Sequence, residues 1–214
     1  NARGISGELL NNGAILDLTA AIIMQDAGID TGIVSVGKKV KPSLEHFSDG
    51  DVDVLARYTG YLTELNPDVK PDSHFIYTEN NESKRATASY FYENANRQRF
   101  LVFTFDMYYN DESCYRTYTR GNQITKAVEK LSGRPLPACI QKCPDMYMMC
   151  KKDHTGTMAV GLWNIFADKV REPVITLERP YESIRFIRGS GRLDGNKVYI
   201  DEIPAFEFVG FEVK

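Results

Sequence analysis

The chain has 214 residues, of which 43% are hydrophobic and 26% are charged, and it carries a net charge of -3. This is the composition of an ordinary globular protein. An acidic balance argues against nucleic acid as a partner, because nucleic-acid binding usually needs a basic patch. No apolar run reaches the roughly 20 residues that a membrane-spanning helix needs. The first residues contain neither an initiator Met nor a signal pattern. We therefore expect a piece of a longer protein. The missing signal pattern says little about the compartment, and the cytoplasm is only slightly favoured.

Short helical and apolar segments alternate in the first part of the chain. We expect helices at residues 5–10 and 18–27, and strands at residues 14–16 and 33–36. Asp17 stands at the N-cap position of the second helix; alternatively, its carboxylate serves a ligand at the edge of a parallel sheet. Strand, helix and strand in this order predict a parallel α/β sheet, with its earlier part missing.

The middle of the chain changes from irregular structure to strands. Residues 37–70 contain several breakers and predict a covering segment, with a strand at 52–58 and a single turn at 61–65. Three strands are predicted next, at residues 74–78, 86–92 and 99–105. The last of these is apolar almost throughout, as expected for a strand covered on both faces. A helix over residues 123–131 is predicted to end before Gly133.

A loop rich in tyrosine and arginine follows the apolar strand, and it is the best candidate for a ligand-binding surface. Aromatic rings with polar tips and forked guanidinium donors suit sugars, carboxylates or another subunit. The alternative role is packing over a neighbouring domain. The candidate side chains are Tyr108, Tyr109, Tyr115, Arg116, Tyr118 and Arg120.

Beyond Pro137 the pattern predicts strands throughout. Residues 146–166 alternate with period two around a turn at 153–156, which is typical of a hairpin. The alternation places Trp163 opposite Met158, Val160 and Leu162, where it either stacks on a sugar or belongs to a core. Further strands are predicted at residues 173–177, 183–187, 197–200 and 205–213. Together they predict a small antiparallel sandwich at 138–214, separated at residues 132–137 from an α/β domain at 1–133.

The four cysteines are Cys114, Cys139, Cys143 and Cys150, and their spacing does not match paired zinc knuckles. They are expected to be buried thiols, or to include a Cys139–Cys143 or Cys143–Cys150 disulfide. Cys114 could act as a nucleophile only if the fold brought it to a histidine.

Catalytic signatures are missing from the sequence, which contains no GxSxG, phosphate-binding loop or HExxH motif. Asp106, Asp111 and Glu112 are carboxylates that could hydrolyse glycosides as a pair, or could simply be solvated. We predict no catalytic residue, no metal site and no cofactor.

Several segments resemble the C-terminal part of β-galactosidase-like glycoside hydrolases of family 42. The resemblance is carried by Gly13–Asp17 with Ala20 and Ala21, by Arg99–Phe103, by Lys130–Gly133 with Leu136 and Pro137, and by Met158–Asn164. In that family a catalytic barrel is followed by an amidotransferase-like domain that mediates trimerisation, and then by a small β domain. The resemblance implies that residues 1–133 are the later part of such a flavodoxin- or amidotransferase-like α/β domain, and that the rest is the β domain. The family's catalytic glutamates lie in the barrel, so none is carried over to this chain.

The resemblance implies a non-catalytic accessory part of a carbohydrate-active enzyme, which supports oligomerisation and frames the active site of a barrel. Its partners would be copies of itself or the catalytic barrel domain. Two alternatives remain: a free-standing carbohydrate- or anion-binding module that uses the loop at residues 106–120, and an amidotransferase-like enzyme that uses Cys114.

Overall fold

The computed structural model describes residues 10–11, 13–107, 117–141 and 146–214. The chain forms two compact units, Asn1–Gly133 and Arg134–Lys214. The elements of the first unit are β1 (Ala14–Leu16), α1 (Leu18–Asp26), β2 (Ile33–Val40), β3 (Leu44–Phe47), β4 (Val52–Leu55), β5 (Gly60–Leu65), β6 (Lys70–Glu79), β7 (Glu82–Glu93), β8 (Arg99–Phe103) and α2 (Tyr118–Ser132). The predicted helix at residues 5–10 lies almost entirely outside the described residues.

The first unit is built on a six-stranded sheet in the order β1-β8-β7-β6-β3-β4. Strands β1 and β8 pair in parallel, whereas every other pairing in this sheet is antiparallel. Strands β2 and β5 form a separate antiparallel pair. Along β8, alternate residues enter opposite cores: Phe100 and Val102 pack with α1, and Leu101 and Phe103 pack with α2. The prediction that this strand is covered on both faces is confirmed.

The predicted α/β class of the chain is wrong. Of the described residues, 51% lie in strands and only 14% are helical. The prediction fails after α1, because β2 does not return to the sheet beside β1. It pairs instead with β5 in a separate two-stranded sheet. The parallel neighbour of β1 is β8, which arrives much later in the chain. Strand, helix and strand in sequence therefore do not form a flavodoxin-like or amidotransferase-like unit here.

The expectation of irregular structure at residues 37–70 is also wrong, since this segment contains the rest of β2 and all of β3, β4 and β5. Its strand pattern is hidden because a charged residue, Glu45, occupies an inward-facing position of β3. Residues 61–65 belong to an extended strand paired with β2, not to a turn.

The second unit consists of strands β9 (Ala138–Gln141), β10 (Met146–Lys152), β11 (Met158–Asn164), β12 (Val170–Arg171), β13 (Val174–Leu177), β14 (Ile184–Arg188), β15 (Gly191–Asp194), β16 (Lys197–Ile200), β17 (Glu202–Ile203) and β18 (Phe208–Val213). Two four-stranded sheets, β10-β11-β18-β14 and β15-β16-β13-β9, have only antiparallel pairings. Both sheets contribute to one apolar core, to which β11 supplies Met158, Val160 and Leu162. The predicted hairpin is confirmed as β10 and β11.

Neither helix in the described part of the chain is long and apolar enough to cross a membrane.

Candidate functional site

The outer face of the β10-β11-β18-β14 sheet carries exposed aromatic side chains. Alternation along β11 sends Val160 and Leu162 into the core, so Trp163 lies on the opposite face and keeps 36% of its surface exposed. Tyr147 of β10 is 57% exposed on the same face. Large aromatic side chains that stay exposed to solvent on a folded unit mark a candidate interaction surface, because most apolar surface is buried on folding.

Strand register brings Tyr147 and Trp163 into one line with the half-buried Phe208, and we call these three rings the aromatic row. Tyr147 is directly opposite Trp163 on the neighbouring strand, and Trp163 is directly opposite Phe208. The ring centroids of Tyr147 and Trp163 are 5.9 Å apart with planes inclined at 56°, and those of Trp163 and Phe208 are 5.0 Å apart at 31°. The row therefore runs across three strands.

Two glycines make room for the rings to lie over the sheet. A Cβ atom at Gly161 would lie 3.0 Å from Cη2 and Cζ3 of Trp163. A Cβ atom at Gly210 would lie 2.6 Å from Cζ of Phe208. The rings thus occupy the space that side chains would fill at these two positions, which are themselves opposite each other on β11 and β18.

The aromatic row leads into a polar cleft with a cavity volume of about 640 Å³, which we call the Arg188 cleft. Phe208 lines the cleft and also ends the row. The polar side chains that line it are Arg188, Ser190, Asp201, Glu202 and Glu207. Within the cleft, Arg188 forms an ion pair with Glu207, and Oγ of Ser190 donates to Oδ2 of Asp201 at 2.6 Å.

A buried amide fixes the backbone between the row and the cleft. Asn164 is the last residue of β11 and its side chain is buried. Its Nδ2 donates to three backbone carbonyl oxygens, those of Asp168 at 2.7 Å, Pro204 at 3.0 Å and Ile203 at 3.3 Å. Its Oδ1 accepts from the backbone N–H of Phe166 at 3.0 Å. These bonds hold Ile203 and Pro204, of which Pro204 lines the cleft, to the end of the strand that presents Trp163.

The chemical groups on this surface are of kinds that can contact a sugar. Ring faces carry partial negative charge and contact the partly positive C–H groups of a sugar, while the carboxylates and the guanidinium of the cleft can bond to hydroxyl groups. Throughout the described residues, no group of three or more His, Cys, Asp and Glu side chains could hold a metal ion.

The tyrosine- and arginine-rich loop lies largely outside the described residues, and this applies to Tyr108, Tyr109, Tyr115 and Arg116, and also to Cys114, Asp111 and Glu112. Tyr118, the first residue of α2, is 47% exposed and lines a second cleft of about 610 Å³ in the first unit. The carboxylate of Asp106 accepts from Oγ1 of Thr19 at 2.7 Å.

Arg120 is directed into the interior of the first unit, not toward a ligand at the surface. Its guanidinium is 2.5 Å from Oε2 of Glu45 and also donates to Gln123. It stacks over the rings of Phe47 and Phe103, at 4.9 and 5.0 Å from their centroids. The side chain is 1% exposed and supports the packing of α2 on the sheet.

The fold also bears on the expectations that the sequence raised for Asp17 and Cys150. The carboxylate Oδ1 of Asp17 accepts from the backbone N–H of Ala20 at 2.8 Å, so Asp17 caps α1 as expected. Cys150 is a free thiol, but it is exposed, so the expectation of a buried thiol is wrong at this position.

Sequence reasoning proposed Trp163 as either a sugar-stacking or a core residue, and the structure places it outside the core. Sequence reasoning did not identify Tyr147, Phe208 and the Arg188 cleft as parts of one surface. Period-two alternation identifies the outward positions of each strand, but only the register across β10, β11 and β18 brings these rings together.

No protein-family model matches this chain. A search of the curated proteins likewise found no significant match.

Proposed function

We propose that this chain is a non-catalytic accessory part of a carbohydrate-active protein, and that its second unit binds glycans on the aromatic row. The single observation that carries the proposal is the row itself: three rings in register on an outer sheet face, over two glycines, and ending at a polar cleft. An open row of rings suits an extended chain of sugars better than a small enclosed ligand.

The lack of catalytic signatures in the sequence supports a binding role over a catalytic one. The resemblance of Met158–Asn164 to the small β domain of family 42 glycoside hydrolases is a second support, since an accessory domain of such an enzyme lies near its glycan substrate. The first unit does not have the amidotransferase-like fold that the same resemblance implied, and glycan binding by the second unit does not require it.

The test is a titration of the 214-residue chain with a panel of glycan oligomers, followed by the emission of Trp163, the only tryptophan of the chain. A stacked sugar changes the environment of the indole and shifts its emission. Isothermal calorimetry then compares Trp163→Ala and Tyr147→Ala with Tyr118→Ala, an exposed aromatic residue of the first unit.

We expect the two row variants to lose at least about tenfold in affinity, the equivalent of about 1.4 kcal/mol, and Tyr118→Ala to bind like the parent chain. If no glycan binds, or if Trp163→Ala binds like the parent, the proposal is wrong. A loss confined to Tyr118→Ala would instead move the site to the first unit.

Self-association through the second unit is the other candidate function. Ile165, Phe166 and Phe206 are exposed, and the backbone N–H of Phe206 donates to the carbonyl oxygen of Phe166 at 3.3 Å, so the backbones of these two residues are neighbours. Apolar patches of this kind often mark interfaces. Light scattering after gel filtration tests this candidate: a mass above one chain that Phe206→Asp reduces would favour assembly.

A further inference from the structure

The Arg188 cleft has a charge imbalance that bears on which glycan the aromatic row would hold. Its lining contains three carboxylates, from Asp201, Glu202 and Glu207, and one guanidinium, from Arg188. The ion pair between Arg188 and Glu207 neutralises one of the three. Lys169 lies 3.0 Å from Oε2 of Glu202 and compensates a second.

Asp201 is the carboxylate that is left over. Its Oδ2 accepts from Oγ of Ser190 at 2.6 Å, and a hydroxyl group is a neutral donor. Within the part of the chain that the structure describes, no Lys, Arg or His side chain lies within ion-pair distance of Asp201. The cleft therefore presents one uncompensated negative charge.

The charge of Asp201 bears on a bound chain of sugars because of where Asp201 lies relative to the aromatic row. Phe208 ends the aromatic row and lines the cleft together with Asp201. A glycan that follows the row from Tyr147 across Trp163 to Phe208 places its next sugar in the cleft. A protonated amine on that sugar is attracted by the carboxylate, whereas a sugar carboxylate is repelled.

We infer, resting on the proposed function, that the glycans this site prefers carry amino groups. Oligomers of glucosamine bind more tightly than their neutral N-acetylated counterparts, and uronic-acid oligomers bind most weakly. The aromatic row supplies affinity that is common to all three oligomers, and the charge of the Asp201 carboxylate determines the order of their affinities.

The experiment compares three oligomers of equal length by calorimetry on the 214-residue chain: glucosamine, N-acetylglucosamine and galacturonate. The pH is low enough to protonate the amines of the first. At low salt we expect the amine oligomer to bind roughly fivefold more tightly than the acetylated one. The ratio should approach one at high salt, because screening shortens the range of the charge.

Asp201→Asn keeps an oxygen that can accept the hydrogen bond from Ser190, and it should reduce the ratio of the two affinities, amine oligomer over acetylated oligomer, to near one. Glu182→Gln removes an exposed carboxylate outside the cleft lining and should leave the preference unchanged. Circular dichroism verifies that both variants are folded.

The outcomes separate the inference from the function on which it rests. If the galacturonate oligomer binds as tightly as the amine oligomer, or if Asp201→Asn keeps the preference, the charge inference is wrong and glycan binding stands. If none of the three oligomers binds, and the wider panel also fails, then the proposed function is overturned and the inference with it.

Discussion

The guanidinium of Arg120 and the carboxylate of Glu45 form an ion pair of 2.5 Å in the interior of the first unit, where their side chains are 1% and 2% exposed. Glu45 also accepts from the hydroxyl groups of Tyr58 at 2.8 Å and Ser73 at 2.5 Å. The pair thus joins α2 to the sheet through a hydrogen-bonded network. Removing one partner would leave the other charge buried without compensation.

Arg120→Met should therefore lower the free energy of unfolding by about 3 kcal/mol or more. Urea denaturation followed by circular dichroism measures the change, while Trp163 emission reports on the second unit separately. Arg185→Met is the matched control, because it breaks an exposed ion pair with Glu212 and should cost less than about 1 kcal/mol. Equal losses for the two variants would show that the buried pair adds nothing beyond a surface pair.

Gly161→Val should weaken glycan binding while the second unit stays folded. The valine suits an outward strand position, but its Cβ would stand 3.0 Å from the Trp163 ring, which has to tilt away from the sheet. We expect a loss of several-fold in affinity, accompanied by a shift in Trp163 emission before ligand is added. Unchanged affinity with a shifted ring would mean that the position of the Trp163 ring does not matter for binding.

Acid should destabilise the first unit through His74. Burial, and next the charges of Arg85 and of His46 on the opposite strand, lower the pKa of His74 below its ordinary value of 6.5. Thr87 faces it from the other neighbouring strand, and Nδ1 of His74 is buried with no hydrogen-bond partner among the described residues. The unfolded chain therefore takes up this proton at higher pH than the folded chain does, so stability falls as pH decreases below 6.5.

The measurement for His74 is the free energy of unfolding at about pH 7.5 and about pH 5.5, the range in which histidine titrates. His74→Gln should show a smaller loss between these pH values than the parent chain. His154→Gln, at the exposed hairpin turn, should lose as much as the parent. A parent chain as stable in acid as at neutral pH would contradict the role of His74.

Gly13→Ala should be more damaging than Gly28→Ala, although both glycines have positive φ, at 81° and 83°. Alanine at such a φ costs about 1–2 kcal/mol at either position. At Gly13 the added Cβ would also stand 2.7 Å from Cβ of Leu131, whereas at Gly28 no atom lies within 4 Å. Thermal unfolding of the two variants isolates the cost of crowding β1 against α2. Equal costs would mean that the Leu131 contact relaxes freely.

Elements determined by nearby residues could be predicted from the sequence. Asp17 and the apolar residues after it specify a capped α1, and Gly156 closes the hairpin of β10 and β11. Pairings between strands that are distant in sequence could not be predicted. Nothing local to β1 indicates that it pairs with β8 instead of the strand after α1. Glu45 looks like a surface residue until Arg120 is seen beside it.

The same limit applies to the candidate site. Alternation correctly placed Trp163 opposite the core positions of β11, but whether that side is covered depends on the rest of the unit. Phe208 becomes a neighbour of Trp163 only because β18 pairs with β11, and the Arg188 cleft joins residues from four separate parts of the second unit.

Gly161 and Gly210 have an energetic consequence for recognition. Because the Trp163 and Phe208 rings rest against bare backbone and against each other, their side-chain torsions are restricted before any ligand arrives. The conformational entropy of ordering these two side chains is lost during folding, not on association. If the row binds a glycan as proposed, the glycan meets a preorganised surface, and its own flexibility is then the main entropic cost of the complex.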